Sequence, residues 1–167
     1  NNMKKVIFRQ VQDKDINFYL SCRNLPINRS FSLKKGKINK IDHYSWWFMS
    51  KNRISHFGII NKKKIAILTE QIHHINNLKI VYSGFISCVE KIDLIDLLNM
   101  IKWQNKRVLR HGSVLNVISV TKNNVFGNLQ SKYFKFNKIN KNSTLGNKIS
   151  KIIKFNKKLN IYFKKIK

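Results

Sequence analysis

The chain has 167 residues, with 34 Lys and Arg against 7 Asp and Glu, a formal net charge of +27 and a sequence pI of about 10.4. With 43% apolar residues, one Pro and six Gly, it is too apolar for intrinsic disorder and too poor in Gly and Pro for a collagen or a flexible linker, and its length suits a single domain, residues 1–167. No run approaches the roughly 18 apolar residues of a spanning helix, and Val6-Ile7-Phe8 is far short of a signal-peptide core, so a cytoplasmic protein without a membrane span is expected.

Residues 5–11 (KVIFRQV) alternate as a first strand. Asp13-Lys14-Asp15 then supplies an N-cap and acid for the first turn of a helix whose face carries Ile16, Tyr19, Leu20 and Arg23. Arg23-Asn24 opens a loop containing Pro26, and the chain stays polar and basic over residues 28–40. Residues 41–50 (IDHYSWWFMS) gather His43, Trp46, Trp47 and Phe48 in a short helix. Two strands follow, 53–60 and 64–72, joined by the turn Asn61-Lys62-Lys63, and then a third, 78–87, containing Gly84. A glycine inside a strand marks a bulge or a close approach by another group.

Asp93 caps the next helix, with Leu94, Leu97, Leu98 and Ile101 on one face. Residues 114–120 (VLNVISV) read as a buried strand, which makes residues 82–120 a βαβ unit with parallel strands. A last helix begins after Asn123-Asn124, with Phe126, Leu129 and Tyr133 on one face. The tail, residues 148–166, alternates as two closing strands turned at Asn156-Lys157-Lys158. The expected fold is α/β: a mixed, mostly antiparallel sheet of about seven strands, with helices on both faces and one parallel crossover.

The charge is unevenly distributed. All seven acids lie in the first 96 residues, leaving residues 97–167 with 17 Lys and Arg and no acid, a field that attracts polyanions. A nucleic acid, an anionic membrane and a cofactor with several phosphates all answer to such a field. The 28 Lys, 22 Asn, 24 Ile and single Ala are also what A- and T-rich codons produce. Arg, which reads base edges, is scarce, so nucleic acid is the weaker partner. Cys22 and Cys88 lack the spacing of a zinc or redox motif and read as ordinary thiols.

The stretch Asp15-x-x-x-x-Leu20-x-x-Arg23-Asn24, then Asn28-Arg29, then Ile41-x-His43-x-x-Trp46-Trp47-Phe48, resembles the N-terminal region of GCN5-related N-acetyltransferases (GNAT) that act on amino sugars for bacterial surface glycans. Val117-x-x-Val120-x-x-Asn123 with Leu129-x-x-Lys132-Tyr133-x-x-Phe136 is similar to the same family's later strand and helix. The resemblance covers roughly residues 5–140. It implies a GNAT-like sheet and transfer of an acetyl or related acyl group from acetyl-CoA to the amine of a small, nucleotide-linked amino sugar, with the carrier lying between the two parallel strands. The family's loop Q/R-x-x-G-x-G/A, whose bare amides bind pyrophosphate, is replaced here by Ser87-Cys88-Val89-Glu90-Lys91-Ile92-Asp93, with no glycine and two acids. A catalytically silent member of the fold and a basic nucleic-acid-binding module are the alternatives.

Acyl transfer to an amine needs a proton acceptor and donors for the tetrahedral oxyanion. Glu70, the acid in the predicted central strands, and His43 are the candidate bases. Each has a plainer reading, as a carboxylate paired with lysines and as a satisfied core histidine. The family's general-acid tyrosine aligns with Gln130, and Tyr133 stands one turn on. Phe85, Ile86 and Ser87 offer backbone bonds to the pantetheine arm and Asn123 a side chain, unless a bulge and an N-cap account for them. Arg23, Asn24, Trp47 and His73 are the candidate acceptor contacts. Trp47 as core, Arg23 as a helix-terminal charge and His73 as a surface residue stand against that assignment. Adjacent strand residues point to opposite faces, so His73 and His74 do not share a metal, and no metal is expected.

Overall fold

The computed structural model describes residues 5–166. Seven strands form one sheet in the order β1-β2-β3-β4-β5-β7-β6. They are β1 (Ile7–Gln10), β2 (Arg53–Ile60), β3 (Lys63–Ile75), β4 (Leu78–Ser87), β5 (Val114–Thr121), β6 (Asn137–Lys138) and β7 (Leu159–Ile166). The helices are α1 (Ile16–Arg23), α2 (Pro26–Ser30), α3 (Lys40–Met49), α4 (Leu94–Val108), α5 (Val125–Tyr133) and α6 (Thr144–Ile149). β1–β2, β2–β3, β5–β7 and β6–β7 are antiparallel, whereas Ile80–Tyr82 of β4 run parallel to Leu115–Val117 of β5. A parallel pair needs a long crossover, and α4 supplies it. The mixed, mostly antiparallel sheet expected from the sequence is therefore present. Among the described residues no helix is long and apolar enough to cross a membrane.

Residue contacts divide the chain into two compact units; one runs to Gln71 and takes in Gly84–Arg107, the other comprises Ile72–Ser83 and everything from Val108 on. In the first unit the strand pleat sorts side chains onto two faces. Phe57 and Ile67 join Val11, Ile16, Tyr19, Cys22 and Trp47 under α1 and α3, whereas Ile60, Ala66 and Leu68 meet Met100 of α4 on the other face. Phe8 stacks on Trp103 there, ring centroids 3.8 Å apart. Gln104 of α4 donates to the carbonyls of Thr69 (3.1 Å) and Gly84 (2.9 Å), so one amide bonds the backbones of β3 and β4. The β2–β3 turn closes through Asn61 and Lys62 at φ 48° and 64°, the double left-handed geometry that matches strand twist.

The second unit packs Ile75, Ile80, Leu115, Val117, Ile139, Ile149, Ile153 and Ile161 into one cluster. A smaller cluster joins Val81, Val108, Val114 and Ile166. The tail differs from the sequence expectation: only 159–166 form a strand, and its outer neighbour is the upstream pair Asn137–Lys138. Residues 144–149 are helical because Ser143 accepts the Gly146 amide (3.0 Å), and because any Cβ on Gly146 would collide with the carbonyl oxygens of Asn140 and Lys141. Ile149 and Ile153, four apart, both bury, and the alternating residues around them had masked that spacing. Three further bounds move. α2 starts with Pro26 at its first turn, β3 runs on to Ile75, and Asp13–Asp15 form a 3-10 turn that puts Asp15, not Asp13, at the N-cap position of α1, without a side-chain cap bond.

Gly84 answers the close approach its position implied: a Cβ there would meet Thr69 Oγ1 at 2.5 Å. Gly84→Ala is expected to cost about 1–3 kcal/mol in urea unfolding, and Thr69→Ala in the same chain to recover most of it. Equal losses in the single and double variants would show that the strain lies elsewhere.

Candidate functional site

In the first unit, the turn before α1 is held by Asp15, whose carboxylate accepts from Arg9 (2.9 and 3.0 Å), from Lys64 (3.1 Å) and from the Gln12 amide (3.0 Å). Burial pushes this carboxyl up, but the bonds from Arg9, Gln12 and Lys64 outweigh it and hold the group well below the usual carboxylate range. Above that turn the ends of α1 and α3 meet in a cationic, aromatic cluster. Arg23 donates to His43 Nδ1 (3.0 Å). A guanidinium has no acceptor, so Nδ1 is the unprotonated nitrogen and the Nε2 proton is donated to the Ile16 carbonyl (3.0 Å).

His43 is thus a neutral, fully buried ring with both nitrogens engaged. Burial lowers its pKa, the Ile16 carbonyl opposes this, and the charges of Arg23 and Arg53 lower it further. The Arg23 guanidinium lies 4.4 Å over Trp46; Arg53 lies 4.9 Å over the same ring and 3.7 Å over Trp47. Trp47 is buried, donates its indole N–H to Asp13 (2.8 Å), and accepts at its carbonyl from Arg53 (3.1 Å). Burial pulls the Arg23 pKa down, and the nearby charges of Arg29 and Arg53 add to that. Asn24 exchanges two bonds with the backbone of Ile38 (2.9 and 2.8 Å), closing the basic loop between them.

Glu70 lies on the opposite face of the sheet, with the parity of Ala66 and Leu68, and pairs with Arg107 of α4 at 3.0 Å. It is 2% exposed. The fold therefore brings Arg23, His43 and Trp47 together and keeps Glu70 apart from them. At the end of β4, Phe85 packs toward α4 and Ile86 toward α1 and α3. The Asn28 side chain acts as a short strand beside Ser87, accepting its N–H (3.0 Å) and donating to its carbonyl (2.7 Å) and to that of Cys22 (2.6 Å). Asp93 accepts the Ile95 amide (2.9 Å) at the start of α4, and the Ser87 hydroxyl bonds the Val89 backbone.

The remaining candidates belong to the second unit. His73 is half-buried in β3, with a buried Nε2 that has no hydrogen-bond partner, and burial followed by the neighbouring His74 lowers its pKa. Tyr133 is 71% exposed at the end of α5. Asn123 is exposed, and the helix cap falls to Asn124, which accepts the Gly127 amide (2.8 Å).

No family model matches the sequence. A 51-residue stretch is 35% identical to the uncharacterized protein MJ1062 of Methanocaldococcus jannaschii; the match takes in 30% of this chain and spans only 10% of that protein's length. Among solved structures, a domain from Methanocaldococcus jannaschii superposes with a TM-score of 0.78 at 18% identity, over 98% of this chain and all of the other. The GNAT domain of S. lividans PAT gives 0.69 at 9% identity, over 95% and 89% of the two chains. An acetyltransferase of the GNAT family from Streptococcus pneumoniae gives 0.62 at 13% identity, over 98% and 100%. The chain has the GNAT fold.

Against the loop pattern given above for GNAT enzymes, the start of α4 is occupied by its own side chains: Asp93 caps the first free amides, and no glycine bares the preceding backbone. Three contributors escaped sequence reasoning. Arg53 and the bridging role of Asn28 depend on contacts across 6 and 59 residues of chain, and Arg107 of α4 on a partner in β3. The one available signal was Asn28-Arg29 within the family-like stretch.

His43→Gln is expected to destabilise the fold by about 1–3 kcal/mol, because Arg23 and Ile16 lose a buried partner. In the native protein the lowered His43 and His73 values mean that the unfolded chain binds more protons in the window just below the ordinary histidine value of about 6.5. This part of the stability is full above that value and is lost as pH falls toward the folded values. Denaturant midpoints recorded across this range test the sign, and a midpoint that rises as pH falls through the window would refute it.

Proposed function

We propose that the chain, as one domain over residues 1–167, is an acyl-CoA-dependent N-acyltransferase of the cytoplasm, moving an acetyl group from acetyl-CoA to the amine of a small, nucleotide-linked amino sugar. The observation that carries this reading is the GNAT fold across nearly the whole chain. The acceptor class rests on the cationic cluster: residues 16–41 hold Arg23, Arg29, Lys34, Lys35, Lys37 and Lys40 and no acid, and Arg29 and Arg53 both lie close enough to repel Arg23. Half-buried like charges of this kind are stabilised by an anion such as a diphosphate. Asn24 shapes the loop, Trp47 supports the guanidinium of Arg53, and His73 is the further acceptor contact of the proposal.

In the reaction the acceptor amine attacks the thioester carbonyl, the C–S bond of the tetrahedral intermediate breaks, and the thiolate takes a proton. Tyr133, with its exposed hydroxyl, is the proposed acid. Glu70 and His43 are the proposed acceptors of the amine proton; His43 would serve as such only by releasing Arg23, so its stronger role is to position that guanidinium. Phe85, Ile86, Ser87 and Asn123 are the proposed carrier contacts. Backbone polar groups alternate along a strand, and Asn28 already bonds those of Ser87, so Phe85, two residues back on the same edge, is the residue best suited to hold the pantetheine amide. A second reading, a GNAT-like protein without transfer activity, is favoured by one feature, the self-capped start of α4.

Calorimetric titration with acetyl-CoA at moderate salt, beside ATP and dephospho-CoA, is expected to give micromolar, salt-tolerant binding selective for acetyl-CoA. Glu70→Gln with His43→Gln should abolish acetyl transfer to amino-sugar nucleotides while leaving carrier affinity nearly unchanged. Weak binding, equal for all three ligands and lost with salt, would favour the second reading.

A further inference from the structure

Cys22 closes the last turn of α1 and is 2% exposed; Cys88 directly follows β4 and is half-buried. They are 66 residues apart in sequence, yet Cys88 packs against the cluster beneath α1 and α3 that contains Cys22, and the Cys88 thiol is the first influence on the Cys22 titration. The backbones are drawn together independently of the sulfurs. Asn28 Nδ2 donates to the carbonyl of Cys22 (2.6 Å) and to that of Ser87 (2.7 Å), so those two oxygens lie no farther apart than the two bonds laid end to end. The Cys88 amide is fixed in turn to the Ile65 carbonyl (2.8 Å), and the Cys22 carbonyl also accepts the Leu25 amide (3.1 Å). Both ends of the pair are therefore held by the backbone of the same compact unit.

We propose that Cys22 and Cys88 are a redox modification site, closed to an intramolecular disulfide by a hydroperoxide. A disulfide requires Cα atoms about 4.4–6.8 Å apart, and the Asn28 bridge and the shared apolar cluster hold the two backbones side by side. In the first step one thiolate attacks the peroxide oxygen; the O–O bond breaks, the sulfur becomes a sulfenic acid, and the alcohol or water leaves. In the second step the other sulfur attacks that sulfenic sulfur, the S–S bond forms and water leaves. The sum is two thiols and one hydroperoxide going to one disulfide, one alcohol and one water.

The two thiols also perturb each other: Cys88 lowers the Cys22 pKa, and Cys22, with burial adding to it, raises that of Cys88. The bond joins the end of α1 to the first residue beyond β4. It thereby fixes the segment Ser87-Cys88-Val89, which Asn28, the Ser87 hydroxyl and the Ile65 carbonyl also hold. Closing a loop of this length restricts the unfolded chain strongly, so the oxidised protein should melt higher than the reduced one.

The test is treatment of the reduced full-length chain with stoichiometric hydrogen peroxide, followed by intact mass, maleimide titration and peptide mapping without reductant. The expected result is a loss of two hydrogen masses in the monomer, no titratable thiol, a cross-linked peptide joining residues 22 and 88, and a rise in Tm that dithiothreitol reverses. Cys22→Ser and Cys88→Ser should each leave one thiol and no such rise. Sulfinic or sulfonic acid on Cys88 with Cys22 still titratable, a cross-link between two chains, or a Tm unchanged by oxidation would overturn the proposal. None of these readouts depends on acetyl transfer, so failure of the proposed function leaves the outcome interpretable.

Discussion

Seven carboxylates have to serve a chain with 34 cations, and where each of them sits decides much of the local structure. Asp15 ties Arg9 of β1 to Lys64 of β3, Glu70 receives Arg107 of α4, Asp13 holds the Trp47 indole, and Asp93 caps α4. A buried carboxylate with partners on other elements fixes those elements far more firmly than the same pair would in water. Cations without a carboxylate take the next best environment. Arg23 and Arg53 rest on tryptophan faces, Lys64 also lies over Phe18 and Phe57, and Arg29 and Lys35 bond main-chain carbonyls.

This scarcity gives the α1–α3 cluster its character. A guanidinium next to a neutral histidine and above an indole is held in place without being neutralised, so the charge stays available to something that is not part of the chain. His43 illustrates how a residue type that suggests proton transfer can be tied into the fold at both nitrogens. Its two nitrogens point at a donor and an acceptor fixed by α1, and that geometry dictates one tautomer. In the proposed reaction the cluster binds the acceptor before it does anything catalytic.

The end of β4 shows a second use of side chains as backbone. Asn28 pairs with Ser87, Asn24 with Ile38, and Gln104 bonds the carbonyls of Thr69 and Gly84, each amide standing in for a peptide group where no strand continues. With only six glycines, this chain ends several of its strands and loops on side-chain amides. One such amide, Asn28, bonds the carbonyls of both Cys22 and Ser87.

Much was legible in the sequence. The bounds of β2 and β4 could be read from alternation, α4 from its spacing and the Asp93 cap, and the parallel crossover from the order of elements, because these depend on periodicity and local hydrogen bonding alone. Gly84 announced a close approach, although not that Thr69 would be the neighbour. The tail was not legible: Ile149 and Ile153 bury at helical spacing inside an alternating run, and β7 takes its edge partner from residues 137–138, upstream of α6. Which side chains face each other was decided only by the tertiary structure. The pleat turns Glu70 to the face of the sheet away from α3 and His43, and pairs such as Arg107 with Glu70 and Asn28 with Ser87 join residues whose separation in sequence carries no trace of their contact.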